Sequence, residues 1–420
     1  MREMKDSGIE WIGEIPKEWK IDKIKYHLKR NEPKNHGNAI VLSVYRDYGV
    51  IPKDSRDDNH NVTSEDTSKY KYVKKGQLVI NKMKAWQGSL AVSDYNGIVS
   101  PAYFIYDFTD EEYNHKYFHY LVRSCYKEEF KRISGGIREG QWDLSPEAFA
   151  NTLALLPPLV EQKYIANYLD IQCSEIDATA EDIQKEISLL EEYKKSVITE
   201  AVTKGLNPDA EMKDSGIAWI GEIPKDWKVD KIKYHLKRNE PKNPGNAIVL
   251  SVYRDYGVVP KDSRDDNHNV TSEDTSKYKY VKKGQLVINK MKAWQGSLAV
   301  SDYDGIVSPA YFIYDFIDEE YNHKYFHYLV RSCYKEEFKR ISGGIREGQW
   351  DLSPEGFSNT LVLLPSIEEQ NEILDYILQK EIEIDAIIAD KKRQRGILTE
   401  YKKSLIYEYV TGKKEVPVHE

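Results

Sequence analysis

Two short strings combine side chains that hold phosphates with side chains that pair with base edges. The first, NKMKAWQGS, covers residues 81–89. Lys82 and Lys84 suit phosphate oxygens, Asn81 and Gln87 suit adenine edges, and Trp86 offers a face for packing or stacking. The second, GGIREGQWD, covers residues 135–143. Gly136 allows close backbone approach, Arg138 suits guanine or phosphate, Gln141 suits adenine, and Trp142 follows. Tyr45 and Arg46 form a third candidate. Each has a plainer reading: Trp86 and Trp142 as core aromatics, Lys82 and Lys84 as the solvated face of a strand.

Every one of these residues occurs twice. The same strings return 208 positions later as Tyr253, Arg254, Asn289, Lys290, Lys292, Trp294, Gln295, Gly344, Arg346, Gln349 and Trp350. Across residues 4–157 and 212–365, 144 of 154 positions are identical. None of the ten differences falls in the two strings; His36/Pro244 and Asn96/Asp304 fall in predicted loops. A period this long means duplicated domains, not a solenoid.

Catalytic signatures are missing. There is no GxxxxGK[ST] phosphate loop, no GxGxxG after a strand, no HExxH, no CxxC pair and no GxSxG. His115 and His119, repeated as His323 and His327, stand four apart on a predicted helix and could hold a metal, but no third ligand lies nearby; an ordinary helix surface is the alternative. The PDAEMK string at 208–213 is too compressed for a nuclease motif and lies in a linker.

The elements that must position the two strings read as mixed α/β. Strands are predicted over 38–51, 76–86 and 97–108, a helix over 111–132, a loop over 133–146, and a short apolar strand after it. Each domain is followed by a long helical stretch. In 161–203 no proline or glycine interrupts. Leu169, Ile176, Ile183, Leu190 and Val197 recur every seven residues, with Cys173, Ala180, Ile187 and Ala201 in the companion positions. Lys194 is the single polar break. This is a two-position heptad seam, roughly 65 Å long at about 1.5 Å per residue. The second stretch, 368–410, carries Ile373, Ile377, Ile384, Ile388, Leu398, Leu405 and Tyr409, with a polar interruption at 390–396. The two are natural partners. The domain plan is 1–160, 212–367 for the globules, 161–205 and 368–412 for the helices, a 206–211 linker and a 413–420 tail.

Composition narrows the class. The chain has 420 residues, 40% hydrophobic, with 31 Tyr and 8 Trp. That is a folded protein with ample core. No apolar run approaches membrane-spanning length, and three scattered cysteines suit a reducing cytoplasm. Net charge is −8, yet residues 1–160 hold 24 basic and 23 acidic side chains, against 5 and 11 in 161–210. Acidic helices and neutral globules make a poor unaided polyanion binder.

Taken in order, these strings resemble the specificity subunit of type I restriction–modification systems across essentially the whole chain. SGIEWIGEIPKEW at 7–19 and SGIAWIGEIPKDW at 215–227 look like the family's start of a target recognition domain. LLPPLVEQKYIANYLD at 155–170 is similar to its junction with a conserved helix; LLPSIEEQNEILDYIL at 363–378 departs at the second proline, where Ser366 stands. EYKKS at 192–196 and 400–404 fits the helix end. The resemblance implies two target recognition domains held apart by antiparallel helices, and no catalysis by this chain. It implies double-stranded DNA as ligand and two methyltransferase subunits plus translocating restriction subunits as partners. Those partners would carry S-adenosylmethionine, ATP and magnesium. Antiparallel helices would relate the two units by a pseudo-two-fold axis. Near-identical domains would then read one short sequence on opposite strands, a bipartite palindrome. Two other functions are compatible with parts of the pattern: a structural adaptor working through its helices, and a stand-alone nuclease using its repeated acidic clusters.

Overall fold

The computed structural model describes residues 2–34, 37, 39–46, 48–55, 66–136, 142–245, 247–254, 256–263, 274–344 and 350–417. It divides into two units. One comprises Met1–Gln184 with Arg393–Glu420, the other Lys185–Lys392. Each therefore holds one strand-rich domain and a part of both long helices.

In the first unit a four-stranded antiparallel sheet runs in the order Leu28–Arg30, Tyr103–Phe108, Leu78–Asn81, Leu90–Val92. Leu78, Val79 and Ile80 are wholly buried because both sheet faces are covered. Alternate residues point to opposite faces. Leu78 and Ile80 enter the main core with Trp19, Tyr117, Phe118 and Phe149, while Val79 joins a smaller cluster with Leu42, Val44, Val50 and Ile105. A continuous apolar run in mid-sheet follows from that double cover.

Several elements differ from expectation. The strand predicted over 38–51 is a hairpin, Leu42–Tyr45 against Gly49–Pro52. Gly49 takes φ 73°, and a Cβ there would lie 2.8 Å from Arg123 Nη1. The strand predicted over 76–86 ends at Asn81 and turns into a 3-10 segment, Ala85–Gln87, so Lys82 and Lys84 occupy a turn and not a strand face. The strand predicted over 97–108 is two, Gly97–Val99 and Tyr103–Phe108. The helix predicted over 111–132 is two, His115–Cys125 and Lys127–Ile133. Tyr126 between them leaves the helical basin (φ −104°, ψ 6°) and buries its ring completely. Asn114 caps the first helix, accepting from the Lys116 and Tyr117 amides. The predicted loop 133–146 contains a two-residue ladder, Ser134–Gly135 against Asp143–Leu144.

The central helix runs Leu159–Lys204 and the C-terminal helix Ile367–Val410. Seven of the nine predicted seam residues of the central helix are buried; Ala180 and Leu190 are half-buried. The C-terminal helix continues through the polar 390–396 stretch, but no residue between Ile388 and Leu405 is fully buried there. Within each unit the helix segments are antiparallel, since partner numbers fall as residue numbers rise. The first unit pairs Tyr168 with Tyr409 (ring centroids 4.7 Å) and Asp177 with Lys402 (2.6 Å). The second pairs Glu186 with Lys391 (2.5 Å) and Asp385 with Lys194 (2.8 Å). Lys194, the polar break in the seam, thus meets Asp385 and also Glu381 at 3.2 Å. Lys402 is its counterpart 208 positions on, and Asp177 is the counterpart of Asp385.

The domain is clamped to the start of its helix by two adjacent side chains. The Trp19 indole donates to Glu161 at 3.0 Å. Gln162, wholly buried, accepts from the Asn114 amide (2.8 Å) and donates to the carbonyls of Glu112 (2.7 Å) and Pro157 (2.8 Å). Trp227, Glu369 and Gln370 repeat this in the second unit. Replacing Gln162 by Ala removes the partner of one buried and two part-buried backbone groups, so we expect a loss of about 2–4 kcal/mol. Denaturant unfolding measures it, and a loss below about 0.5 kcal/mol would contradict this role for the amide.

Candidate nucleic-acid interface

The first string folds as a tightly bonded turn. The Asn81 side-chain oxygen accepts from the Met83 amide at 3.2 Å, and the Trp86 indole donates to the Met83 carbonyl at 3.1 Å. The Lys84 amide donates to the Asn81 carbonyl, and the Gln87 and Ser89 amides donate to the Lys84 carbonyl. Gly88 closes the turn with φ 89°, a left-handed conformation that glycine adopts without strain. Asn81 therefore spends its oxygen on the turn.

The structure brings the two strings together. Trp86 and Trp142 pack edge to face with centroids 5.1 Å apart. Lys82 Nζ meets Asp143 Oδ2 at 2.9 Å, and the Leu144 amide donates to the Lys82 carbonyl at 2.9 Å. Both tryptophans are half-buried, so they are neither core residues nor free faces. The Lys82–Asp143 pair is substantially exposed and adds little stability; its effect is to fix one string against the other. Lys84 is exposed and makes no ion pair among the described residues. Gly136 is exposed at the end of the Ser134–Gly135 ladder. Arg138 and Gln141, with Arg346 and Gln349, lie outside the described residues.

The third candidate joins them. Tyr45 ends its strand half-buried, and Arg46 stands exposed beyond it. The Arg46 stem passes Gly88, its Cγ 3.8 Å from where a Cβ would stand on that glycine. Arg123, absent from the sequence candidates, donates to the Arg46 carbonyl and holds this corner. No local motif marks it: Arg123 is a helical residue 77 positions away.

The second unit repeats the arrangement. Trp294 and Trp350 are 5.2 Å apart, Lys290 meets Asp351 at 3.0 Å, and Arg331 donates to the Arg254 carbonyl. Asn289 accepts from the Met291 amide at 3.1 Å, Lys292 is exposed, and Gln295 ends the 3-10 segment. Tyr253 ends its strand as Tyr45 does, and Gly344 is exposed like Gly136.

The histidines do not form the metal pair that their spacing allowed. His115 stacks on Phe108 at 4.1 Å. Both His119 ring nitrogens face donors, the Val92 amide at 3.3 Å and Arg123 Nη1 at 3.2 Å. Burial first, then the Arg123 cation, push its pKa down to about 3; His327 is likewise pushed down to about 3. A different group, His27 with Asp110 and Glu112, brings three ligand-type atoms within 4.8 Å of one another, and His235, Asp318 and Glu320 repeat it. His27 Nδ1 already pairs with Asp110 Oδ2 at 2.9 Å, an imidazole–carboxylate contact that accounts for the geometry without an ion.

No protein-family model matches the chain. The chain is a homologue of type I restriction enzyme specificity subunits. It is 24% identical to the MjaVIII specificity subunit of Methanocaldococcus jannaschii, over 96% of this chain and 94% of the relative. To the putative MjaX specificity subunit of the same organism it is 26% identical, over 52% of each. Among solved structures, a chain from a study of complex assembly and conformational transition in the type I R-M system superposes with TM-score 0.63 at 13% identity, covering 95% of this chain and 99% of that one. The HsdS subunit from Thermoanaerobacter tengcongensis gives TM-score 0.52 at 15% identity, covering 95% and 98%. Two strand-rich mixed α/β domains with a long central and a long C-terminal helix are the architecture of those HsdS chains. No described helix is long and apolar enough to cross a membrane.

The histidine environment gives a pH dependence. A pKa depressed on folding means that the unfolded chain binds more protons, so stability falls as pH drops below about 6.5. Each domain should contribute a slope of up to about 1.4 kcal/mol per pH unit between pH 6.5 and 5. Unfolding measured at several pH values should show that slope reduced in His119→Asn with His327→Asn. An unchanged slope would place the acid sensitivity elsewhere.

Proposed function

We propose that this chain is the DNA-reading, non-catalytic subunit of a type I restriction–modification complex. The observation that carries the reading is likeness over nearly the whole chain to specificity subunits, together with a charged and aromatic face present once in each domain. In this reading Tyr45, Arg46, Lys82, Lys84, Trp86, Gln87, Gly136, Arg138, Gln141 and Trp142 line the DNA in the first domain, with their counterparts in the second. Asn81 and Asn289 shape the turn and also bond the side chains of Tyr103 and Tyr311, so they act by holding the face in place.

The partners follow from charge and from exposed apolar surface. A domain with 24 basic and 23 acidic side chains holds little excess charge for phosphates, so methyltransferase subunits supply most of the clamp. Those subunits dock on the long helices, where the first unit exposes Val160, Tyr164 and Ile171 on one turn-spaced row and the second exposes Leu189 and Tyr193 four apart. S-adenosylmethionine belongs to the methyltransferase subunits, and ATP and magnesium to restriction subunits recruited through them.

The near identity of the two domains supports one half-site of about three or four base pairs, read twice in inverted orientation. With half-sites on one face of B-DNA, centres lie roughly ten base pairs apart and the gap is about six or seven. The target base is adenine in each half-site. Base-resolution mapping of adenine methylation tests this, with the chain co-expressed with its cognate methyltransferase subunit in a host lacking other adenine methylases. A single bipartite palindrome is expected. An asymmetric motif keeps the function but sinks the equivalence of the domains. No new methylation from an assembled complex favours an adaptor acting through its helices. In the same assay, Gln141→Ala with Gln349→Ala should change or abolish the motif.

A further inference from the structure

Met83 is an exposed apolar side chain in the turn formed by the first string. It stands 51% exposed, and Met291 in the second domain stands 46% exposed. The backbone beneath it is committed. The Lys82 amide donates to the Ala102 carbonyl and the Lys82 carbonyl accepts from Leu144. The Met83 amide and carbonyl are bonded to Asn81 and to Trp86, and the Lys84 amide is bonded to Asn81. Met291 is held by the same bonds, at 3.1 Å from Asn289 and 3.1 Å from Trp294. A turn with its backbone donors and acceptors used internally offers a partner only its side chains, and it offers them preorganised. Those side chains are Met83, the paired Lys82 and the exposed Lys84.

Resting on the DNA-reading function above, we propose that Met83 and Met291 are base-contacting residues that read the 5-methyl group of a thymine in the major groove, one in each half-site. An apolar tip beside a lysine matches the pairing of a thymine methyl with a neighbouring phosphate. The alternative use of an apolar tip is as a wedge between base pairs. Wedging requires unstacking of a few kcal/mol, repaid by wrapping bent DNA over charged protein surface. A domain with a charge excess of one has little to wrap with, which favours the methyl contact.

The test uses the assembled methyltransferase complex and duplexes carrying its mapped site, with deoxyuridine replacing each thymine in turn. Deoxyuridine keeps the base pair and removes only the methyl. Wild-type complex should bind about fourfold more weakly for one thymine per half-site, as expected for one lost methyl contact. The Met83→Ala, Met291→Ala variant should bind thymine and deoxyuridine duplexes equally, while Met83→Leu, Met291→Leu should restore discrimination. Both positions are exposed, so thermal unfolding of the variants should match the wild type. Indifference of the wild type to every deoxyuridine overturns the proposal, as does discrimination that survives in the alanine variant. A methionine-dependent rise in 2-aminopurine fluorescence at a stacked step overturns it in favour of the wedge. In all of these outcomes, continued methylation of a defined site leaves the DNA-reading function standing. A complex that methylates no defined site removes both.

Discussion

The side chains of Gln162 and Gln370 stand where each domain becomes a helix, and the rest of the unit depends on that corner. A glutamine carboxamide has one acceptor and two donor hydrogens in fixed geometry. Here it bonds the amide that opens the capped helix and two carbonyls, one before that helix and one at the proline that ends the domain's last strand. Next to it, Glu161 takes the indole hydrogen of Trp19, a wholly buried residue. Polar groups this deep stabilise only when fully satisfied, and these are. The domain is therefore fixed at its root, and the candidate interface is carried on a sheet built outward from that root. The corner is not identical in the two units. Arg2 bonds Glu161 and Glu18 in the first, whereas position 210 is alanine in the second.

The long helices were legible because their signal is periodic and cumulative. A seven-residue repeat over many turns outweighs any single residue, and most of the seam is buried as expected. Lys194 shows what the repeat alone leaves open. Sequence marks it as a polar residue in an apolar seam, but its meaning lies in Asp385, 191 positions away. A charge at one seam position that meets a carboxylate on the facing helix sets register and direction. The domains were less legible. The run from 38 to 51 is apolar and β-branched enough to read as one strand, and only Gly49 marks the hairpin corner. The apolar spacing through Tyr117, Leu121, Tyr126 and Phe130 continues across the break between two helices, so periodicity hid it.

At the candidate interface, residue types were legible and their partnerships were not. Composition could not decide whether Trp86 and Trp142 were core or surface. The structure places them against each other, half-buried, so each is the other's environment. Lys82 read as a phosphate holder, and it also ties the two strings through Asp143. Arg46 reached its place through a carbonyl bond to a helical arginine and a passage across Gly88. Such long-range placements leave no local pattern. They become visible only when the chain closes.

That closure has a temporal side. The core of the first unit contains Leu405, Tyr409 and Val410, and the buried Tyr117 hydroxyl donates to the Val410 carbonyl at 2.9 Å. The second unit is closed at the same point by Ala201 and Val202, with Tyr325 donating to the Val202 carbonyl at 3.2 Å. During synthesis the residues that complete the second domain are already made when it emerges. The first domain emerges earliest, yet waits for the last stretch of the chain. At about 5–20 residues per second, that interval is on the order of half a minute. Throughout it, the first core lacks Leu405, Tyr409 and Val410, and the Tyr117 hydroxyl lacks the carbonyl it bonds in the finished unit. The first unit begun is the last finished.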